Sequence, residues 1–530
     1  METFEINNFS FSYPMSKKRS LKNINLNIKN GEFILICGQS GSGKTTLLKN
    51  MKNELAPHGK KEGEILYNKK KLSDANSFEI GFVMQNPENQ IVTDTVWHEL
   101  AFGLENMGLS SNIIRRRVAE ISSFLGIADW FRLSTNTLSG GQKQKLCLAS
   151  VMVMQPKVLI LDEPLSQLDP IAATEFIETL KKINNELGMT IIISEHRLED
   201  LFAVADKVVV MDNGSIILNE RPRDVSLCHP IAAGFPAAMR IYTELGFLGQ
   251  SPITVKEGRR FIDANFDTLP NIEKETKVFN DISVKMKNVW FKYGRELPDV
   301  LKGVNLTAHH GEILCIVGAN ATGKSTALSV LSGVYKPHKG QIELLGKRLR
   351  LYNPNELYGG VISLLPQSPQ TLFVHDSVEA ELYEMSNDIS QAVSLLEIEP
   401  LLKSNPFDIS CGEQQKVAFA KILLKNPQII LLDEPTKGLD SVFKAQLAKI
   451  LNTLSNQGKT IIIATHDLEF AASYAHRCAM FFDGVVISHD RTSLFLSENN
   501  YYTTAANRIV RHKNPYAITV EDVISLCKKS

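Results

Sequence analysis

The sequence has no net charge, no long apolar run and no paired cysteines. Lysine plus arginine number 58, as do aspartate plus glutamate, so the overall field gives no footing for a polyanion and no nucleic-acid partner is expected. Nowhere do about 18 apolar residues follow one another, the length a bilayer demands. The opening METFEINNFSFSY lacks the basic region and apolar core of a leader. The expectation is a chain that neither enters nor crosses a membrane by itself. Seven cysteines, Cys37, Cys147, Cys228, Cys315, Cys411, Cys478 and Cys527, stand singly without CxxC or metal-ligand spacing, and read as reduced thiols of a cytosolic protein.

What is present is ordinary in bulk, with 43% apolar and 22% charged residues over 530 positions. That composition suits a globular chain too long for one compact core. Its order is less ordinary, because nearly every landmark recurs about 270 to 280 residues later. NNFSFSY returns as KNVWFKY, GQSGSGKTT as GANATGKST, TLSGGQKQKLCL as DISCGEQQKVAF, LILDEP as LLDEP, and IIISEH as IIIATH. The tails repeat as well, AAMRI followed by ITVKE becoming AANRI followed by ITVED. The reading is two tandem domains, 1–262 with a core over about 1–230 and 283–530 with a core over about 283–495, joined by a linker over 263–282. In each, short β-rich runs such as FILICG and VLILDE alternate with helical stretches such as AATEFIETLKKINNEL, which predicts an α/β fold on a mostly parallel sheet. Ligands of such sheets gather at the carboxyl ends of the strands.

Gly38–Thr45 is G-x-x-x-x-G-K-T and Gly318–Ser325 is G-x-x-x-x-G-K-S, each after a β-rich run and opening a helix. In that setting backbone N–H groups close on a β-phosphate and the lysine reaches the β- and γ-oxygens, while the hydroxyl that follows binds Mg²⁺. Candidate nucleotide-binding residues are therefore Gly38, Gly41, Gly43, Lys44, Thr45 and Thr46 in the first loop. In the second they are Gly318, Asn320, Gly323, Lys324, Ser325 and Thr326. Two apolar strands end in paired acids. Asp162 and Asp433 are placed to hold Mg²⁺ through water, and Glu163 and Glu434 to polarise the attacking water. His196 and His466 follow Ile-rich strands and are candidates for γ-phosphate contact, and Tyr13 and Tyr293 for stacking on adenine, although each tyrosine also suits a core position of the first strand.

Phosphate loop, glutamine loop, LSGGQ, LDEP and histidine, in that order and twice over, resemble the nucleotide-binding domains of ATP-binding cassette proteins. The resemblance implies two tandem P-loop domains, each with a helical subdomain and a short C-terminal extension, hydrolysing ATP with Mg²⁺. It implies that Gln85 and Gln367 sense the metal and the water. It also implies head-to-tail pairing, in which Ser139, Gly140, Gly141 and Gln142 of one domain, and Ser410, Cys411, Gly412 and Glu413 of the other, close over the nucleotide held by the sibling. Cys411 stands where the first copy has Gly140. Both phrases nevertheless read as capping boxes, serine at the N-cap and Gln142 or Glu413 three residues on, so Cys411 falls at the first helical position and needs no left-handed backbone. Two hydrolytic sites of unequal strength are expected.

The segment QNPENQIVTDTVWHELAFGLENMGL, 85–109, is similar to the stretch after the glutamine loop in the ATPases of energy-coupling factor importers. In that family it forms a groove for coupling helices of a membrane scaffold subunit, while a second, small membrane protein binds the vitamin or metal ion. The resemblance implies a location at the cytoplasmic face of the membrane. Ile91, Val92, Val96, Trp97, Leu100 and Phe102 would expose much apolar surface if nothing docked there. Other readings are the tandem ATPase of a sugar importer, which usually carries one weakened site, and a soluble ribosome-associated tandem ATPase, which would need a dense basic linker that this sequence lacks.

Overall fold

The computed structural model describes residues 2–14, 18–166, 168–225, 230–270 and 277–529; Cys228 and part of the expected linker lie outside these. The chain divides into two compact units. The first runs to Thr243 and takes in Leu248–Thr254, and the second comprises Glu244–Phe247 and everything from Val255 onward.

Each unit has two sheets. In the first unit a six-stranded sheet runs Ser215–Glu220, Lys207–Asp212, Phe33–Gly38, Thr190–Ser194, Val158–Asp162, Ile80–Val83. All neighbours are parallel except the Ser215–Glu220 edge. Its counterpart in the second unit runs Ile362–Leu365, Ile429–Asp433, Thr460–Thr465, Ile313–Val317, Arg477–Phe482, Val485–Arg491, and again only the last pair is antiparallel. A parallel sheet covered on both faces buries every side chain of its strands. VLILD and IILLD are buried at all five positions, each large aliphatic side chain contributing about 1.5–3 kcal/mol relative to exposure.

The second sheet was not foreseen. Strand Glu2–Ser12 pairs antiparallel with Leu21–Lys29 and Lys60–Tyr67, and Ile282–Phe291 does the same with Leu301–His309 and Lys339–Leu344. Phe4, Ile6, Phe9 and Phe11 turn inward onto the six-stranded sheet. Glu5 is half-buried and Asn7 and Asn8 face out, while Ser10 is buried, close to the half-buried pattern of an antiparallel sheet. Asn8 and Asn288 adopt left-handed backbone and shift the register in mid-strand, which hides the alternation from a simple period-two reading.

Among the described residues no helix is long and apolar enough to cross a membrane. The tail repeat takes an unexpected course. Helix Val255–Asn265, which the sequence reading gave largely to the first domain, packs in the second unit beside Ala505–Val510. Asp263 pairs with His512 at 2.6 Å, and Lys513 Nζ and Asn514 Nδ2 donate to the carbonyls of Phe266 and Pro270 at 2.6 and 2.7 Å. Ile262 is completely buried. Ile262→Ala is therefore expected to destabilise the second unit by roughly 2 to 5 kcal/mol and to speed amide hydrogen exchange in Ala505–Val510 while Val158–Asp162 keeps its protection. Equal losses in both segments would refute the assignment.

Candidate nucleotide sites

In the first unit strand Phe33–Gly38 ends in the glycine loop, and helix Lys44–Asn50 starts after Gly43. Gly43 has φ of 101°, and a Cβ there would sit 2.8 Å from the Ser20 carbonyl, so the loop needs glycine for both reasons. Gly323 repeats this with φ of 105°. Lys44 is 4% exposed. Its Nζ donates to the Gly38 and Gln39 carbonyls at 2.9 and 3.1 Å and lies 3.3 Å from His196 Nε2.

Thr45 Oγ1 and Ser194 Oγ both donate to Asp162 Oδ1, at 3.1 and 2.7 Å. Glu163 is held on both oxygens, Oε2 accepting from Gln85 Nε2 at 2.7 Å and Oε1 lying 3.0 Å from His196 Nε2 and 4.0 Å from Lys44 Nζ. Its backbone is left-handed at φ 45°, as is that of Glu434 at 48°, a strained placement that aims the side chain across the strand end. Tyr13 is 40% exposed and its hydroxyl meets Thr46 Oγ1 at 3.2 Å.

The second unit assembles the same parts with changes. Lys324 Nζ donates to the Gly318 and Ala319 carbonyls at 2.9 and 2.8 Å, and Ser325 Oγ to Asp433 Oδ1 at 2.9 Å. Glu434 Oε2 faces His466 through Nδ1 at 2.9 Å and also accepts the His466 backbone N–H at 3.3 Å. Tyr293 is exposed beside Thr326 and Tyr335. Gln367 is exposed and is not brought to Glu434 as Gln85 is to Glu163.

Both signature phrases form capping boxes. Ser139 caps helix Gly140–Met152 with Gln142, and Ser410 caps Cys411–Leu423 with Glu413. Cys411 occupies the first helical position and is exposed. The copies differ in one bond, because Ser410 Oγ donates to the Glu413 carboxylate at 2.6 Å.

The family model described as ABC transporter matches residues 21–166 and 301–437. The chain belongs to the ABC transporter family. A Bacillus cereus protein provisionally named as an ABC transporter ATP-binding protein is 41% identical over 544 residues, covering 99% of this chain and 98% of its own. A solved Clostridium perfringens structure, cbiO1, described as part of the ABC transporter complex cbiONQ, is 32% identical over 50% of this chain and 96% of its own, with a TM-score of 0.41. An archaeal ribosome recycling factor, solved with a ribosomal stalk protein, covers 93% of this chain and 91% of its own at TM-score 0.60 and 18% identity, which extends the likeness in fold alone across both cassettes.

ATP is thus the substrate class of these ABC cassettes, and their donor sets suit Mg²⁺. A hydroxyl and a carboxylate oxygen lie together at the foot of each phosphate loop, hard donors of the kind that ion takes. Among the described residues no cluster of three or more His, Cys, Asp or Glu could hold a metal by itself.

Two residues escaped the sequence reading. Ser194 bonds Asp162 where the second unit has Ala464, and Glu195, buried between Leu165 and His196, adds a third carboxyl to the first site. Burial first, then the charge of Glu163, pushes Glu195 up to about 8. The only signal was an acid immediately before the histidine.

Burial, with Glu434 alongside, also pushes Asp433 up to about 6. Below that pH the carboxyl carries a proton that a metal ion must displace, and above it the carboxylate is bare. In a Lys44→Ala chain, the Mg²⁺-dependent gain in fluorescent-ATP affinity at the second site is expected to grow about tenfold per pH unit up to about pH 6 and then level off. A gain independent of pH over this range would contradict the assignment.

Proposed function

We propose that this chain is the ATP-hydrolysing motor of an energy-coupling factor type importer, driving uptake of a vitamin or transition-metal ion through a membrane scaffold subunit and a small substrate-binding membrane subunit. One observation carries the reading. The segment resembling the scaffold-binding groove of those ATPases borders a recess of about 300 Å³ lined by Glu88, Ile91, Val92, Asp94 and Lys143 among others. Val92 and Phe102 are 64% and 45% exposed nearby. Val96 and Leu100, expected at this surface, lie instead in the core, and Trp97 packs half-buried against Phe131. The apolar surface is therefore smaller than the sequence reading supposed, and it flanks a polar recess that suits the end of a helix emerging from a membrane protein.

In each cassette the glycine loop and Lys44 or Lys324 bind the triphosphate, and Tyr13 or Tyr293 stacks on the adenine. Glu163 or Glu434 takes the proton of the water that attacks the γ-phosphorus as the bond to the β-phosphate oxygen breaks. His196 or His466 orients that carboxylate and contacts the γ-phosphate. Mg²⁺, when bound at Thr45 and Asp162 or Ser325 and Asp433 with the glutamines nearby, would neutralise the phosphate oxygens. The signature phrases close over the sibling's nucleotide, and movement between loaded and spent states is passed to the membrane subunits. The Glu413 carboxylate beside Ser410, where the first copy has an amide, supports unequal sites.

Glu163→Gln and Glu434→Gln are each expected to lower steady-state ATP turnover by about half or more. The double variant should lose at least about a hundredfold, the scale of a lost general base. Turnover untouched by either single change would defeat the two-site reading. Val92→Glu with Phe102→Glu should cut the membrane-bound fraction of the chain at least about fivefold when it is expressed with its native membrane partners. Cosedimentation with ribosomes in place of membranes would overturn the importer reading.

A further inference from the structure

The two cassettes part at the residue before the histidine. In the second, the Thr465 side chain bonds locally, its Oγ1 accepting from the Asp467 N–H at 3.0 Å. The His466 N–H then turns to Glu434 itself, so a single oxygen of that carboxylate meets both backbone and ring of the same histidine. In the first, Glu195 stands in the same place, 2% exposed. One of its oxygens accepts from Leu165 N–H at 2.6 Å and the other from His196 N–H at 3.0 Å. It thereby ties the turn that follows Glu163 to the backbone of the histidine, and it takes the amide that Glu434 has to accept in the second cassette. Glu163 keeps its two oxygens for different partners, Gln85 on one and the His196 ring on the other.

We infer that Glu195 is a positioning residue of the first cassette: by accepting the His196 amide and anchoring Leu165 it holds Glu163 and His196 in the relative orientation that hydrolysis uses. Its partners are the backbone amides of Leu165 and His196, so its effect falls on turnover, not on binding. The inference rests on the assignment of Glu163 as the group that polarises water, and it is independent of what the motor drives. It also gives the inequality of the two cassettes a second origin, separate from Cys411 and Glu413.

Glu195→Thr copies the residue of the second cassette, so the fold has a precedent for it, and Glu195→Gln keeps one acceptor of two. Both are measured in the full chain carrying Glu434→Gln, where turnover comes from the first cassette. Should that chain turn over too slowly to measure, the wild-type chain serves, because cassettes coupled that tightly pass a first-site defect on in full. Glu195→Thr is expected to lower kcat about tenfold with KM for ATP within twofold, and Glu195→Gln to fall between. Hydrogen exchange read by mass spectrometry should quicken in the segments holding Leu165 and His196 and stay unchanged around Glu434 and His466. A kcat within twofold of the parent, a KM that rises as far as kcat falls, or exchange that quickens equally in the second unit would each overturn the inference. Turnover indifferent to Glu163→Gln removes the assignment beneath it, whereas turnover sensitive to Glu163→Gln but indifferent to Glu195→Thr removes only the role of Glu195.

Discussion

Two acids at the end of a strand with no exposed side chain set the terms for each cassette. Withdrawing a carboxylate from water costs several kcal/mol unless charges and hydrogen bonds compensate it, and here four such groups are withdrawn. Asp162 and Glu163 are 3% and 8% exposed, Asp433 and Glu434 7% and 6%. Everything else in the site can be understood as compensation that also serves chemistry. Hydroxyls answer the aspartates, while an imidazole and a nearby ammonium answer the glutamates. The compensation is incomplete for Asp162 and Asp433, whose proton affinities stay raised by burial. It is more than complete for Glu434, where burial is outweighed by His466 and Lys324 and the carboxyl is held below its usual range.

The same logic explains why the worn signature phrase keeps its local structure. A helix start has donors to satisfy whether or not a glycine precedes them, and serine with an acid or amide three residues on satisfies them in both copies. The change from Gly140 to Cys411 leaves the backbone alone because the first helical position tolerates any small residue. The change from Gln142 to Glu413 leaves the cap alone as well, yet it places a charge where the other copy has none. Geometry was preserved and electrostatics were not.

Much of this was legible in the sequence. Loop, acids and histidine recur in the same order within each repeat, and the structure brings Lys44, Asp162, Glu163 and His196 together at the carboxyl ends of neighbouring strands. What sequence patterns did not disclose has physical reasons. The antiparallel sheets interrupt their alternation at Asn8 and Asn288, and Val96 and Leu100 belong to an amphipathic helix whose buried side cannot be told from its docking side without knowing what lies beneath. Gln85 and Gln367 occupy equivalent points in the two repeats, but among the described residues the first meets its glutamate while Gln367 is exposed. Glu195 was overlooked because an isolated acid after a strand is usually solvated; its meaning lies in the two amides it meets, from Leu165 some 30 residues earlier and from its own neighbour.

Helix Val255–Asn265 gives the chain one further property. The seam that divides the sequence into two similar halves and the seam that divides it into two packed bodies lie at different places, since the last helix of the first repeat is part of the second body. A gene dissected at the repeat boundary would yield one fragment whose last helix has lost the partner for Ile262 and another whose Ala505–Val510 helix has lost its cover. The chain therefore cannot be parted at its repeat boundary without breaking the packing of its second body.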